Sequence, residues 1–177
     1  SGLIAQAAQV DLSEVANWYD ESVAWRFPET RYYTEKLPSN FLLCGFILKT
    51  IPNARIIHLV RDPMSTCFSN LHTLFHFECG YSYQQNELAD YFIAYRDLMR
   101  FWHETFPGRI ADVQYDSLVQ QPVQIMQDLC AYLDIAYQPE MVELSKRTGS
   151  VATASTVSVR EGIKTNRNQQ WQPYAAH

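Results

Sequence analysis

Two positively charged side chains follow segments that the sequence pattern predicts to be extended. Arg61 follows the β-branched run 55–60, and Lys36 follows the run 32–35 just before Pro38. A guanidinium binds phosphate oxygens through two parallel hydrogen bonds, and an ammonium places a point charge over a developing anion. These residue types suit anion binding and charge stabilisation during group transfer. For Lys36 a solvated strand end is the alternative, and residue type alone favours it.

The residues after Arg61 predict a helix whose start suits an anion. Asp62 can cap the helix, and Pro63 suits its first position. Such a start presents backbone N–H groups and the positive end of the helix dipole, and Ser69 on the same helix could add a hydroxyl group to the same anion. The alternative is an ordinary strand-to-helix junction in which Arg61 pairs with a surface carboxylate. Residue types alone favour that alternative.

Composition restricts the classes of protein that can contain such a site. The chain has 177 residues, of which 47% are hydrophobic and 19% charged, and its formal net charge is −5. These values are typical of one globular domain, or of a large piece of one, and not of disorder, collagen or a coiled coil. The acidic balance argues against a generally basic nucleic-acid-binding protein, although a local basic pocket stays possible.

Alternating helix-like and strand-like patterns predict an α/β domain. Residues 55–60 have the pattern of a parallel strand that is buried on both faces, and residues 109–115 are the second strand candidate. Ser39 is the expected cap of the second helix, and residues 148–177 are expected to form an extended tail. Apolar residues at helical spacing predict helices over 11–25, 39–51, 62–77, 87–104, 122–133 and 139–147.

Four cysteines, at positions 44, 67, 79 and 130, form no Cys-x-x-Cys pair. Free thiols in a reducing compartment are the favoured interpretation, with a bridge between Cys67 and Cys79 as the alternative in a secreted protein. The longest apolar run, 41–48, is far shorter than the ~20 residues of a membrane span, and no signal peptide is visible. We therefore expect a cytoplasmic protein without a membrane partner.

Four segments carry a resemblance to a known family. Residues 34–41 read TEKLPSNF, residues 51–63 read IPNARIIHLVRDP with Ser69 following, residues 113–122 read VQYDSLVQQP, and residues 153–160 read TASTVSVR ahead of a tryptophan and a tyrosine. In this order they resemble four segments of the sulfotransferases that use 3′-phosphoadenosine 5′-phosphosulfate (PAPS): TDKxPxNF, the 3′-phosphate-binding strand and helix, RYEDLV…P, and TAS…VR…W..Y. The chain is most similar to the tyrosylprotein-sulfotransferase-like branch, which includes bacterial enzymes that are fused to tetratricopeptide repeats.

The resemblance implies a P-loop NTPase-like parallel sheet flanked by helices. It also implies a nucleotide sulfate donor, PAPS, whose product is adenosine 3′,5′-bisphosphate (PAP). Arg61 and Ser69 would bind the 3′-phosphate, Tyr115 would lie beside the nucleotide, and Arg160 with the tail would close over it. These four are the candidate cofactor-binding residues.

For the reaction, the resemblance implies two candidate catalytic residues. Lys36 would contact the bridging oxygen or the sulfuryl group and stabilise charge in the transition state, and Ser155 would lie near the sulfuryl group. Sulfuryl transfer, like phosphoryl transfer, needs an in-line acceptor and cations at the leaving and equatorial oxygens. It requires no metal, and we expect no metal site.

The sequence departs from the family pattern in its first part. The family begins with a strand, a glycine-containing loop of the RSGTT kind that holds the 5′-phosphosulfate, and a helix near which the catalytic base commonly lies. Residues 1–30 contain no such loop, since Gly2 is their only glycine, and Gln170 stands where the family usually has a basic residue before Trp171. We therefore expect residues 1–177 to form a single truncated sulfotransferase domain that keeps the 3′-phosphate half-site and does not turn over alone.

A non-catalytic binding or interaction module derived from the same fold is the alternative function. The wide aromatic stripe of the predicted helix 87–104 would then be partly exposed and would favour self-association or partner binding. A kinase-like P-loop enzyme requires Gly-x-x-x-x-Gly-Lys-Ser/Thr, which the sequence lacks. The hydroxyl acceptor can be a tyrosyl peptide, a carbohydrate or a small molecule. His72 and His76, one turn apart, could line the acceptor side, although packing or solvent exposure on a helix is favoured for both and for His103.

Overall fold

A computed structural model of the chain describes residues 12–26, 30, 32–75, 77–143 and 169–175. The contacts within it separate two compact units. Unit 1 comprises Ser1–Ile56 and Leu98–Ile110, and unit 2 comprises Ile57–Asp97 and Ala111–His177. Each unit has buried apolar side chains of its own. That residues 1–177 form a single truncated domain stays a prediction.

Helices and strands alternate along the described residues as in a mixed α/β fold. The α-helices are α1 (Leu12–Ala24), α2 (Cys44–Thr50), α3 (Pro63–His72), α4 (Gln85–Thr105), α5 (Tyr115–Gln120) and α6 (Pro122–Leu133). The 3-10 helices are Pro38–Leu43, Phe77–Tyr83, Pro139–Val142 and Gln172–Tyr174. Strands β1 (Ile56–Val60) and β2 (Ile110–Gln114) form a parallel two-stranded sheet. The predicted fold class, a parallel sheet flanked by helices, is confirmed.

Unit 1 packs α1 against α2, and the end of α4 against α2. The Trp102 indole N–H donates to the Phe41 carbonyl at 2.9 Å, and the same ring lies against the backbone of Gly45. The Arg109 guanidinium donates to the Ala54 carbonyl at 2.8 Å and so joins the turn before β1 to the turn before β2. The buried apolar residues of this unit are Val23, Cys44, Leu48, Met99 and Ile110.

Unit 2 contains most of the sheet, with α3, the first part of α4, α5 and α6. His58 of β1 lies between Asp112 of β2, with 2.8 Å from Nδ1 to Oδ1, and the Tyr95 hydroxyl of α4, which is hydrogen-bonded to Nε2. The rings of Tyr81 and Tyr91 stack with their centroids 3.7 Å apart, which ties the segment before α4 to α4. The buried apolar residues of this unit are Leu88, Val113 and Cys130.

Strand β1 is not buried on both faces, contrary to the prediction. Ile57 is 45% exposed and Leu59 is 53% exposed, whereas His58 and its neighbours on the same face are half-buried. Successive side chains of a strand point to opposite faces, and α4 covers the His58 face through Tyr95. The β-branched run predicted the strand correctly, but a run of this kind does not show whether a second layer covers the other face.

Helix α3 ends earlier than the predicted boundary near residue 77. His72 is its last residue, and Thr73 adopts an extended backbone conformation. The Thr73 hydroxyl donates to the Ser69 carbonyl at 2.7 Å, which satisfies one of the carbonyl groups that a helix end leaves without a backbone partner. Apolar residues continue at helical spacing past His72, so the spacing alone predicts a longer helix. It does not encode the hydrogen bond of Thr73 at the helix end.

Three further boundaries differ from the prediction. Pro38, not Ser39, opens the second helical segment, and that segment begins as a 3-10 turn without a side-chain cap. Tyr115, predicted as the end of the second strand, begins α5. The helix predicted over 139–147 is a 3-10 helix over Pro139–Val142 in the described part of the chain.

The described part of the chain contains no helix with the length and apolar character that a membrane span needs. All four cysteines are free, and Cys44 and Cys130 are buried. The prediction of buried free thiols is met by Cys44 and Cys130, whereas Cys67 and Cys79 are free but half-buried, and the reducing compartment stays a prediction.

Candidate functional site

The junction between β1 and α3 forms as the sequence predicts. The Asp62 carboxylate accepts the Ser65 N–H at 2.7 Å, the Asp62 carbonyl accepts the Thr66 N–H at 2.9 Å, and Pro63 occupies the first turn of the helix. The carboxylate therefore occupies one of the N–H groups that an anion would use, and it adds a negative charge at the positive end of the helix dipole. An anion at this junction would therefore depend on the Arg61 side chain rather than on the helix start, and its binding stays a prediction.

Arg61 lies against an aromatic face. Its guanidinium carbon is 5.3 Å from the centroid of the Tyr115 ring, and both residues are half-buried. Arg61 directly follows β1 and Tyr115 directly follows β2, and parallel neighbouring strands end at the same edge of a sheet. A cation over an aromatic face is attracted by the ring quadrupole. The structure thus brings together two of the predicted cofactor-binding residues.

Ser69, the third predicted residue of this group, opens onto a cavity of about 260 Å³. One wall is α3 and the other is the C-terminal segment 169–175, and the rings of Phe68 and Tyr174 join the two walls with their centroids 5.3 Å apart. We call it the α3 cavity. The residues that line it are Phe68, Ser69, His72, Thr73, Gln170 and Tyr174.

Lys36, the predicted catalytic lysine, belongs to unit 1 and is exposed. It lies in the stretch 32–37, which forms neither a helix nor a strand and is tied to α1 by a hydrogen bond of 3.1 Å from the Tyr33 hydroxyl to the Asp20 carboxylate. Partial burial and this hydrogen bond to Asp20 raise the pKa of Tyr33 to about 12. The lysine therefore does not end a strand of the described sheet, and its catalytic role stays a prediction.

The other two predicted site residues, Ser155 and Arg160, lie outside the described residues, as does His76. His103 lies on α4, as the sequence predicted. His72, expected to lie packed or exposed on a helix, is the last residue of α3 and is exposed, and its ring lines the α3 cavity.

Sequence reasoning missed the hydrogen-bonded chain of Asp112, His58 and Tyr95. The Tyr95 phenol has its pKa raised, chiefly by burial and secondly by the negative charge of Asp112. A signal is present, because His58 and Asp112 are polar residues near the middle of the two predicted strands. Tyr95 belongs to the aromatic stripe of the predicted helix 87–104, and the sequence alone does not show that its hydroxyl contacts an imidazole.

Comparison with known proteins agrees with this fold. A family model described as "Sulfotransferase family" matches residues 3–139, which is more than half of the chain and includes Lys36, Arg61, Ser69 and Tyr115. The chain belongs to the sulfotransferase family. The branch within the family stays a prediction.

Two similar proteins place the chain among longer relatives. It is 30% identical over 166 residues to a protein of Aquifex aeolicus (strain VF5) described as uncharacterized, and the match covers 92% of this chain and 22% of that protein. It also matches the solved structure of a sulfotransferase domain from the curacin biosynthetic pathway, with a TM-score of 0.64 and 15% identity, over 90% of this chain and 60% of that one. At that identity the likeness concerns the fold. The chain therefore spans about a fifth of the first relative and three fifths of the second.

Proposed function

We propose that this chain supplies the 3′-phosphate-binding half of a sulfotransferase that uses PAPS. The whole protein would transfer a sulfuryl group from PAPS to a hydroxyl acceptor. The observation that carries the proposal is the contact between Arg61 and Tyr115 at the carboxyl ends of two neighbouring strands. Ligands of open parallel sheets bind at that edge.

The residues present fit a phosphate group. A guanidinium that stacks on a ring keeps its planar N–H edge directed away from the ring, and that edge matches the spacing of two phosphate oxygens. Ser69 is exposed on α3, where its hydroxyl can donate to a third oxygen. Arg61 and Ser69 would hold the 3′-phosphate, and Tyr115 would position Arg61 beside the nucleotide.

The donor, when bound, supplies an activated sulfuryl group. Lys36 would stabilise the negative charge that develops on the leaving oxygen. Ser155 beside the sulfuryl group and Arg160 over the nucleotide complete the proposed set, and both rest on the family resemblance alone.

We further propose that these 177 residues bind the nucleotide without turning it over. The six glycines stand at positions 2, 45, 80, 108, 149 and 162, so no pair of them forms a glycine loop for the 5′-phosphosulfate. The acceptor that we propose is a hydroxyl group, without a choice among peptide, carbohydrate and small-molecule substrates. The four free cysteines support a reducing, cytoplasmic location.

Calorimetry with PAP tests the site. We expect the 177-residue chain to bind PAP more tightly than adenosine 5′-monophosphate, which lacks the 3′-phosphate. Arg61→Ala should lower PAP affinity at least about tenfold and abolish that preference, because it removes charge-assisted hydrogen bonds. Arg55→Ala is the matched control, since this exposed arginine at the other end of β1 donates to the carbonyl of its neighbour Ala54.

Two outcomes would contradict the proposal. PAP binding that Arg61→Ala leaves unchanged would remove the phosphate site from this junction. Rapid sulfate transfer from PAPS by the 177-residue chain alone would show that it holds more than the half-site.

The second candidate, a non-catalytic module that associates with a second copy of itself, is favoured by one observation. Ile57 and Leu59 expose the apolar second face of β1 to solvent, and exposed apolar faces favour association. In that case sedimentation would show a concentration-dependent dimer, and the same sample would bind no PAP.

A further inference from the structure

The α3 cavity is lined by hydrogen-bond donors and has one ionisable cation. Ser69, Tyr174 and Gln170 offer two hydroxyl groups and an amide, and the Thr73 hydroxyl is already donated to the Ser69 carbonyl. Among the six lining residues, His72 alone can become positively charged. An anion that enters beside Ser69 would therefore meet neutral donors and this imidazole.

His72 is held at the wall of the cavity. It follows Ser69 by three positions on α3, which places the two side chains on the same face of the helix. Its ring stacks on Phe68 with centroids 6.0 Å apart and planes inclined by 28°, and Phe68 in turn contacts Tyr174 of the opposite wall. The imidazole is thus fixed by rings on one side and faces the cavity.

We propose that His72 is a further ligand of the 3′-phosphate and that it makes nucleotide binding depend on pH. This rests on the proposed function, because it assumes that Ser69 holds that phosphate. Imidazoles commonly gain a proton between pH 8 and pH 5. A protonated ring places a positive charge beside Ser69 in the α3 cavity, so PAP affinity increases as the pH falls.

The 3-10 helix Phe77–Tyr83 packs against α3 and carries four titratable residues: Glu78, Cys79, Tyr81 and Tyr83. Tyr174 faces His72 from the C-terminal segment. Phenols and thiols are ordinarily neutral below pH 8, and a carboxylic acid is ordinarily ionised above pH 6. These groups therefore do not ordinarily change charge between pH 6 and pH 8, and the comparison with a His72 variant separates the histidine from the nucleotide.

Calorimetry of PAP at pH 6 and pH 8 tests the inference. The second ionisation of a phosphate monoester also falls near pH 6 and acts in the opposite direction, so each variant is compared with the wild type at the same pH. We expect His72→Gln to lower PAP affinity by about three- to tenfold at pH 6 and by much less at pH 8. His72→Arg should bind PAP tightly at both pH values.

The controls separate this inference from the proposed function. Adenosine 5′-monophosphate should bind the wild type and His72→Gln equally at each pH. If Arg61→Ala weakens PAP binding and His72→Gln does not, the inference fails and the proposed function stands. If His72→Gln weakens both nucleotides alike, the histidine acts on the fold rather than on the 3′-phosphate, and the inference fails. If the wild type binds no PAP, both fail together.

Discussion

At the scale of single residues, the contact between Arg61 and Tyr115 is the feature that most affects the proposed site. An arginine side chain loses much conformational freedom when it binds a phosphate. The Tyr115 ring, 5.3 Å from the guanidinium carbon, restricts that freedom before any ligand arrives. In the proposed site, Tyr115 would therefore position Arg61, a narrower role than lying beside the nucleotide.

Tyr115→Leu should lower the affinity for PAP about three- to fivefold, because cation–π contacts near a protein surface contribute about 0.5–1 kcal/mol. Tyr115→Phe should keep most of the affinity, since it retains the ring. Calorimetry on both variants measures the difference. If phenylalanine lowers the affinity as much as leucine does, the phenol hydroxyl rather than the ring face matters, and the positioning role is wrong.

Arg61 and Ser69 were predicted from their positions after a strand and on the following helix, whereas Tyr115 was predicted from the family resemblance alone. The sequence could not predict that Gln170 and Tyr174 would share a cavity with Ser69. The distance between these residues along the chain is large, and contacts of that kind depend on how elements pack and not on local spacing. The same reason explains why the chain of Asp112, His58 and Tyr95 was missed.

At the scale of elements, the predictions were most accurate where the apolar pattern was longest. Helix α4, predicted over 87–104 and observed over Gln85–Thr105, carries a full amphipathic stripe, and a turn at Gly108, with φ of +73°, follows it. The ends of shorter helices depend on local hydrogen bonds that the apolar pattern does not encode, as at Thr73. The burial of β1 depends on whether other elements cover both faces of the sheet, and the periodicity within the strand does not show this.

The close packing of α2 on α4 gives a prediction about glycine. A Cβ on residue 45 would lie 2.6 Å from Cη2 of Trp102, and that indole also donates to the Phe41 carbonyl, so the ring cannot move without losing a hydrogen bond. Gly45→Ala should therefore lower the free energy of unfolding by about 1–3 kcal/mol, the usual effect of overpacking. Denaturant titration followed by tryptophan fluorescence measures it.

Gly80→Ala is the matched control for this packing. A Cβ on residue 80 would meet nothing within 4 Å, and its backbone does not require a positive φ. Its free energy of unfolding should stay within about 0.5 kcal/mol of the wild type, as for most surface substitutions. Equal losses at Gly45 and Gly80 would show that the ring of Trp102 does not limit the space at α2.

At the scale of the whole molecule, phenols with raised pKa values occur in both units. Burial, followed by the hydrogen bond to Asp20, raises the pKa of Tyr33 in unit 1 to about 12 from the ordinary 10.0. Burial, followed by the hydrogen bond to Cys79, raises the pKa of Tyr81 in unit 2, and Tyr95 is raised in the same direction. Folding thus disfavours the charged form of these three tyrosines.

This distribution predicts that stability falls on the alkaline side. Because the folded-state pKa of these phenols lies above the unfolded value of 10.0, the unfolded chain loses its protons first as the pH rises. Their contribution to stability is complete below pH 10 and is lost as the pH rises through the folded-state pKa values.

Denaturant titrations at pH 8, 10 and 11 should show that the free energy of unfolding falls as the pH rises. Tyr33→Phe keeps the ring and removes the ionisable group, so it should make this fall shallower. Each substitution, Tyr33→Phe or Tyr81→Phe, removes one of the ionisable groups on which this prediction depends. If the free energy of unfolding falls equally steeply with pH in the wild type and in both variants, other groups govern alkaline unfolding.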